Sequence, residues 1–244
     1  MSLRRDDLMN GLYIWQDTEL FCFGIDAVLL AHYPVLRRGD RVLDLGTGFA
    51  PIPLILSAEA EKRKLLSQIH ITGLEIQERP VHLARRSVAE NGLADRIEIV
   101  KGDIKEAGSL FAPASFSLIT CNPPYLPEGS GLLSEQHERA VARTELLCSL
   151  EDVVRAAGRL LKMSGRFTVI HRPERLPELF MLMKEYALEP KRMRLVCPRA
   201  SEAPTMVLVE GVRGGRPSLK VGPPLVVYGE GQEYTQEIRE IYSR

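Results

Sequence analysis

Cysteine is sparse and unpatterned in this sequence. Cys22, Cys121, Cys148 and Cys197 form no Cys-x-x-Cys pair, and the five histidines (His32, His70, His82, His137, His171) stand at no ligand spacing. A disulfide framework and a metal centre are therefore not expected, and reduced thiols in a cytoplasm are. Long hydrophobic runs are also missing. The longest largely apolar stretch, 49–58, holds two prolines and falls well short of the roughly 20 residues a membrane span needs. The first residues, Met1-Ser2-Leu3-Arg4-Arg5-Asp6-Asp7, carry no apolar signal region, so neither export nor membrane insertion is expected. Net charge is absent as well: 32 Lys and Arg balance 32 Asp and Glu. A protein that coats nucleic acid over its whole surface would be basic throughout.

What is present reads as one folded domain. Hydrophobic residues make up 45% of the 244 and charged residues 26%, which is globular composition. A chain of this length buries enough surface to need no staple. No repeat or low-complexity linker divides it. The balanced charge hides one asymmetry. Residues 159–199 hold ten basic groups against four acidic ones, a local excess of +6. A basic surface on a neutral protein is expected there, with Arg172, Arg175, Lys191, Arg192 and Arg194 as candidate phosphate contacts.

Strand and helix patterns alternate along the chain. Short apolar runs at 41–45, 69–76, 97–100, 116–121 and 166–170 read as buried strands. Helical patterns follow at 49–57, 77–90, 149–161 and 176–183, with Ser149 as a cap and Asp152 three residues on. Segments 191–197 and 205–210 have no helix-length gap between them, so they must pair as a hairpin. The pattern predicts an α/β fold: a doubly wound, mostly parallel sheet with a C-terminal antiparallel hairpin. The catalytic core spans 41–210. Residues 1–40 form an N-terminal flank with a helix at 25–32, and 211–244 a C-terminal extension. Ligands of such sheets lie beyond the carboxyl ends of the strands, so the informative residues are those just after strands.

Asp44-Leu-Gly46-Thr-Gly48 ends the first strand. Its glycines permit a tight turn and close approach of a ligand to bare backbone. A dinucleotide fingerprint would need glycine where Pro51 stands, and a pyrophosphate would face the charge of Asp44. A cationic ligand suits that carboxylate better. Glu75, at the end of the second strand, can accept both hydroxyls of a ribose. Asp103, after the third, can accept from an adenine amino group. Asn122-Pro-Pro-Tyr125 ends the fourth. The proline rings stiffen the turn and fix where the Asn122 side chain and the Pro123 carbonyl point. Two acceptors can hold the two hydrogens of a planar NH2 group, with Tyr125 as a stacking face. Such a grip turns the nitrogen lone pair toward an electrophile without a general base. Cys121, beside the turn, reads as a small buried residue rather than a nucleophile.

These strand-end motifs resemble the class I S-adenosylmethionine-dependent methyltransferases that alkylate planar nitrogens. The resemblance implies a Rossmann-like, seven-stranded sheet and S-adenosylmethionine as cofactor. Asp44, Gly46 and Gly48 would surround its methionine part, Glu75 would take its ribose and Asp103 its adenine, with Ile76 and Ile104 also against the cofactor. Asn122, also beside the cofactor, would act with Pro123 and Tyr125 as the catalytic grip. Ala50 departs from the pattern, since many relatives carry glycine there; a slightly tighter fit is expected. A narrower likeness rests on Trp15-Gln16, Phe21-Cys-Phe23, Asp26-Ala-Val-Leu-Leu30, Glu75-Ile-Gln77, His171-Arg-Pro173, Glu189-Pro-Lys-Arg192 and Pro223-Pro-Leu-Val-Val-Tyr228. The chain is similar in these to the bacterial tRNA1(Val) (adenine-37-N6)-methyltransferases. That likeness implies a tRNA anticodon stem-loop as partner, with Phe21 and Asp26 on the substrate side. Two rivals share the Asn-Pro-Pro-Tyr turn: protein glutamine N5-methyltransferases, which usually carry a helical domain ahead of the sheet, and ribosomal-RNA or DNA adenine methyltransferases. Oligomeric state is not legible.

Overall fold

The computed structural model describes residues 3–20, 22–123 and 148–243. A parallel sheet is built from β3 (Arg41–Leu45), β4 (His70–Glu75), β5 (Ile97–Lys101), β6 (Phe116–Cys121) and β7 (Leu161–His171). The antiparallel strand β9 (Met206–Arg213) pairs with β7 on one side and with β8 (Leu188–Cys197) on the other. The order across the sheet is β5-β4-β3-β6-β7-β9-β8. These are the seven strands and the closing hairpin expected from the sequence. Two short strands, β10 (Lys220–Val221) and β11 (Leu225–Val226), add a parallel border to β8. They cover an edge that would otherwise present unpaired backbone.

The strands are apolar on both faces because helices cover both. Neighbouring residues of β3 illustrate it: Val42 belongs to one apolar cluster and Leu43 to the other. The first cluster lies under α1 (Ile25–His32), α2 (Pro51–Lys62) and α3 (Glu78–Glu90). The second lies under the helices Leu150–Leu160 and Leu176–Glu185. Ser149 and Asp152 close a reciprocal capping box at the start of the first of these. At the amino ends of the strands, buried Arg166 of β7 donates to Asp40 Oδ2 at 2.7 Å, and Ser117 donates to Asp40 Oδ1 at 2.7 Å. Within that network the buried charges of Asp40 and Arg166 meet each other.

The N-terminal flank holds more than the expected helix. β1 (Leu3–Asp7) and β2 (Tyr13–Asp17) form an antiparallel hairpin docked along α3. Asn91 accepts from the Tyr13 amide at 3.1 Å and donates back to its carbonyl at 2.7 Å, and Ser87 accepts from the Trp15 amide at 2.9 Å. Buried Gln16 accepts from the Phe23 amide at 3.1 Å and so ties the hairpin to the segment entering α1. The helix Gln236–Ser243 returns to the first cluster through Ile238 and Ile241.

β3 and β6 run parallel, but the order of strand addition reverses between them: successive strands are laid outward from β3 through β4 and β5, and the other way from β6. That switch point opens a crevice above the carboxyl ends. Asp44 and Thr120 sit side by side in its floor, as register partners.

Candidate active site

The turn after β3 is forced into the left-handed region three times, at Gly46 (φ 70°), Gly48 (φ 56°) and Ala50 (φ 68°). Glycine adopts this conformation freely. A side chain added at Gly48 would meet nothing within 4 Å, so open space adjoins the loop. Ala50 corrects the expectation of a merely tighter fit. Its methyl is fully buried, and what the alanine strains is the backbone. An L-residue there costs about 1–2 kcal/mol, partly offset by about 0.8 kcal/mol for the buried methyl. Ala50→Gly is therefore expected to raise the melting temperature by about 2 °C. A fall in a thermal melt would contradict the strain.

Asp44 is fully buried, and Thr120 donates to its Oδ1 at 2.7 Å. Its Oδ2 is buried without a hydrogen-bond partner. Burial pushes the carboxyl up to about 7, against the Thr120 hydrogen bond and the nearby Thr47 hydroxyl, and the Glu75 charge pushes it up further. Thr47 Oγ1 is itself buried and unpaired, so it lies alongside without closing a bond of good geometry. A carboxylate oxygen orphaned at a strand end suits an ammonium group brought by a ligand.

Glu75 ends β4 as a buried residue. Its Oε2 accepts from Gly48 N and its Oε1 from Gln77 N, both at 2.9 Å. It braces the glycine loop and presents both oxygens at the lip of the crevice. Asp103 follows β5 and accepts from Lys105 N at 2.9 Å through Oδ1. Half-exposed Ile76 and partly buried Ile104 stand after the same two strands, and the methyl end of Ile104 lies against Gly46. Acids and apolar side chains thus alternate along one edge.

Asn122 and Pro123 follow β6, two residues beyond Thr120. The Asn122 Nδ2 donates to Asp26 Oδ2 at 3.0 Å, and its Oδ1 is buried without a hydrogen-bond partner. Asp26 is the second residue of α1 and is buried. Of the expected grip, Tyr125 lies outside the described residues, as does Phe21 on the substrate side. Cys121 is buried within the second apolar cluster, and burial raises its thiol well above the ordinary range, which suits packing and not nucleophilic attack. Among the described residues no three His, Cys, Asp or Glu side chains are placed to hold a metal ion, and no helix is long and apolar enough to cross a membrane.

Internal partners neutralise much of the basic stretch. Arg192 forks onto Glu210 at 3.0 Å through two nitrogens and donates to the Tyr33 carbonyl. Arg194 forks onto Glu237 and donates to the Pro223 carbonyl at 2.7 Å, holding the last helix to the sheet. Lys191 donates to the Arg216 carbonyl and Ser218, and Arg175 pairs with Glu178. The partners are far off in sequence or on adjacent turns, so a residue count could not reveal the neutralisation. Only Arg172 and Arg175 follow the carboxyl end of β7, on the crevice side of the sheet. Sequence reasoning also missed Thr120, Thr47 and the Asp26–Asn122 contact. The Thr120–Asp44 pair follows once β3 and β6 are known to be neighbours, a fact that strand patterns alone do not supply.

A glycine loop, three acids after successive parallel strands and an amide acceptor after the fourth mark a class of group-transfer proteins. Residues 36–238 match a family model described as a methyltransferase domain. A solved structure from Agrobacterium tumefaciens, described as a predicted O-methyltransferase, superposes with a TM-score of 0.68 at 24% identity, covering 89% of this chain and 95% of that one. At that identity the likeness speaks for the fold. A tRNA1(Val) (adenine(37)-N6)-methyltransferase of Bacteroides thetaiotaomicron is 27% identical over 230 residues, 93% of this chain and 91% of the relative. A protein of the same description from Porphyromonas gingivalis is 31% identical over 193 residues, 77% of this chain and 72% of the relative. The chain belongs to this family of methyltransferases.

Proposed function

We propose that the protein methylates the exocyclic N6 of adenine in RNA, the target being adenine 37 in the anticodon loop of tRNA1(Val), with S-adenosylmethionine as donor. The named relatives support the substrate. The observation that carries the chemistry is the buried, unpaired Oδ1 of Asn122, whose amide nitrogen is already taken by Asp26. An acceptor with no donor of its own suits an incoming NH2 group.

The residues present fit the cofactor. The orphaned Asp44 Oδ2 suits its ammonium group, the open side of Gly48 its main chain, Glu75 its ribose hydroxyls, and Ile76, Asp103 and Ile104 its adenine. Bound there, the cofactor supplies an electrophilic methyl on a sulfonium. Asn122 Oδ1 accepts one hydrogen of the target amine, and the Pro123 carbonyl accepts the second. Held by both, the amine cannot rotate, and the positive charge that grows on nitrogen during transfer meets two oxygen dipoles. The proton leaves to solvent after the new bond has formed. Tyr125 is assigned from sequence to stack on the base. An anticodon-loop base is single-stranded, so unstacking is inexpensive. Phosphate contacts, which position the stem, fall to Arg172 and Arg175 after the carboxyl end of β7; the exposed Arg175–Glu178 pair is weak enough to be exchanged for a phosphate, whereas Lys191, Arg192 and Arg194 are tied to distant parts of the chain. Residues 41–210 act as the catalytic core between the two flanks, in the cytoplasm where tRNA is matured.

Labelled S-adenosylmethionine offered with total tRNA or with release-factor protein tests the reading. Label is expected in tRNA as N6-methyladenosine, and replacing adenine 37 by guanosine in the substrate should abolish it. Label in the protein alone would hand the site to a glutamine amide, which presents the same planar NH2.

A further inference from the structure

We infer that Asp26 is a positioning residue that locks the Asn122 amide with its oxygen toward the crevice. This rests on the adenine-N6 reading above. An asparagine side chain can lie either way round, and only its neighbours decide which end faces the substrate. Here one neighbour is a carboxylate, which accepts and cannot donate. Asp26 Oδ2 takes the Asn122 Nδ2 at 3.0 Å, so Oδ1 is left facing away from it, buried and without a hydrogen-bond partner.

The carboxylate is itself fixed. Its Oδ1 accepts from the Ala27 amide at 2.9 Å in the first turn of α1, where helix amides favour negative charge. Gly24 leaves room for it, because a Cβ there would stand 3.0 Å from Asp26 Oδ1. Gln16 holds the Phe23 amide, and so anchors the segment that delivers Asp26. The N-terminal flank, whose described residues contribute no strand to the main sheet, thereby sets the orientation of a side chain at the end of β6.

Both Asp26 oxygens face donors, which yields an inverted order of substitution effects. In Asp26→Asn one oxygen becomes an NH2. The remaining oxygen is expected to keep the adjacent Ala27 amide, turning the NH2 toward Asn122. Asn122 then rotates to offer its oxygen inward and withdraws it from the crevice. Asp26→Ala only frees the amide to sample both orientations. The isosteric change is therefore expected to be at least as harmful as the truncation.

The test compares kcat, KM for tRNA and the affinity for S-adenosylhomocysteine in both variants. A 1 Å misplacement near the reacting atoms can cost on the order of 10²-fold. Asp26→Asn is expected to lower kcat by at least roughly tenfold, to no more than the rate of Asp26→Ala, with cofactor affinity close to the parent's. Asp26→Asn retaining near-parental kcat, or clearly outperforming Asp26→Ala, would overturn the inference, as would a parallel loss of cofactor affinity. Should Asp26→Asn fail to fold, Gly24→Ala crowds the same carboxylate and should lower kcat in the same sense; unchanged kcat there would count against it. A second readout needs no RNA. In the 15N-labelled protein one Asn122 side-chain proton should resonate downfield as a carboxylate-bound proton, identified by its absence in Asn122→Ser. No such resonance would refute the lock. Its presence in a protein that leaves tRNA unlabelled would refute only the substrate reading.

Discussion

Asn122→Ala is expected to lower kcat by on the order of 10²–10³-fold, the effect of removing one preorganised polar group from a charge-developing transition state. Affinity for S-adenosylmethionine should stay within about threefold of the parent's, since the acceptor acts on the target and not on the donor. The size follows from burial. Asn122 Oδ1 lies out of solvent with nothing to accept from, so the amine that arrives there meets a fixed dipole that water does not screen. Steady-state kinetics with tRNA, paired with calorimetry of S-adenosylhomocysteine binding, separate the two quantities. Full turnover in Asn122→Ala would remove the acceptor from the mechanism. Equal losses in binding and turnover would make Asn122 a cofactor residue only.

Asp44→Asn is expected to weaken the cofactor by about 30-fold or more, the usual loss when one partner of a buried charged pair is removed, about 2–5 kcal/mol. The parent should also show a pH signature. Burial raises the Asp44 carboxyl to about 7 in the folded protein, against about 3.9 for an unfolded aspartate. The neutral form is thus favoured by folding. This group's contribution to stability is full below the unfolded value and is lost as pH rises through about 7. A cationic ligand requires the opposite form. Affinity for S-adenosylhomocysteine should therefore rise as pH climbs toward about 7 and level off above it, by up to about tenfold per pH unit on the acid side. Asp44→Asn should flatten the profile. A flat profile in the parent would contradict the role given to Asp44.

Much of this was legible in the residues. Apolar runs ending in Asp44, Glu75, Asp103 and Asn122 fix four strands and one crevice, because parallel strands buried on both faces have little other pattern available. Ser149 and Asp152 mark a helix start by local chemistry alone, and the capping box closes as expected. The hairpin of β1 and β2 was not legible. Leu3–Asp7 carries four charged residues in five and is mostly exposed, so it shows no alternation. Its pairing is fixed by α3, through Ser87 and Asn91. The arginines of β8 misled for a related reason. Composition counts Arg192 and Arg194 as free charge, but Glu210 and Glu237 reach them only after the chain has folded back. Ala50 shows a third kind of limit: a missing glycine is visible in sequence, but whether the position has positive φ is a property of the turn.

The most direct test of the central geometry is a crystal structure with S-adenosylhomocysteine and an adenosine occupying the target site. The sulfur should face the adenosine N6 across the gap a methyl group fills, with N6 at hydrogen-bond distance, about 2.7–3.2 Å, from Asn122 Oδ1. A sulfur pointing away from Asn122, or an Asn122 that turns its nitrogen to the base, would contradict it.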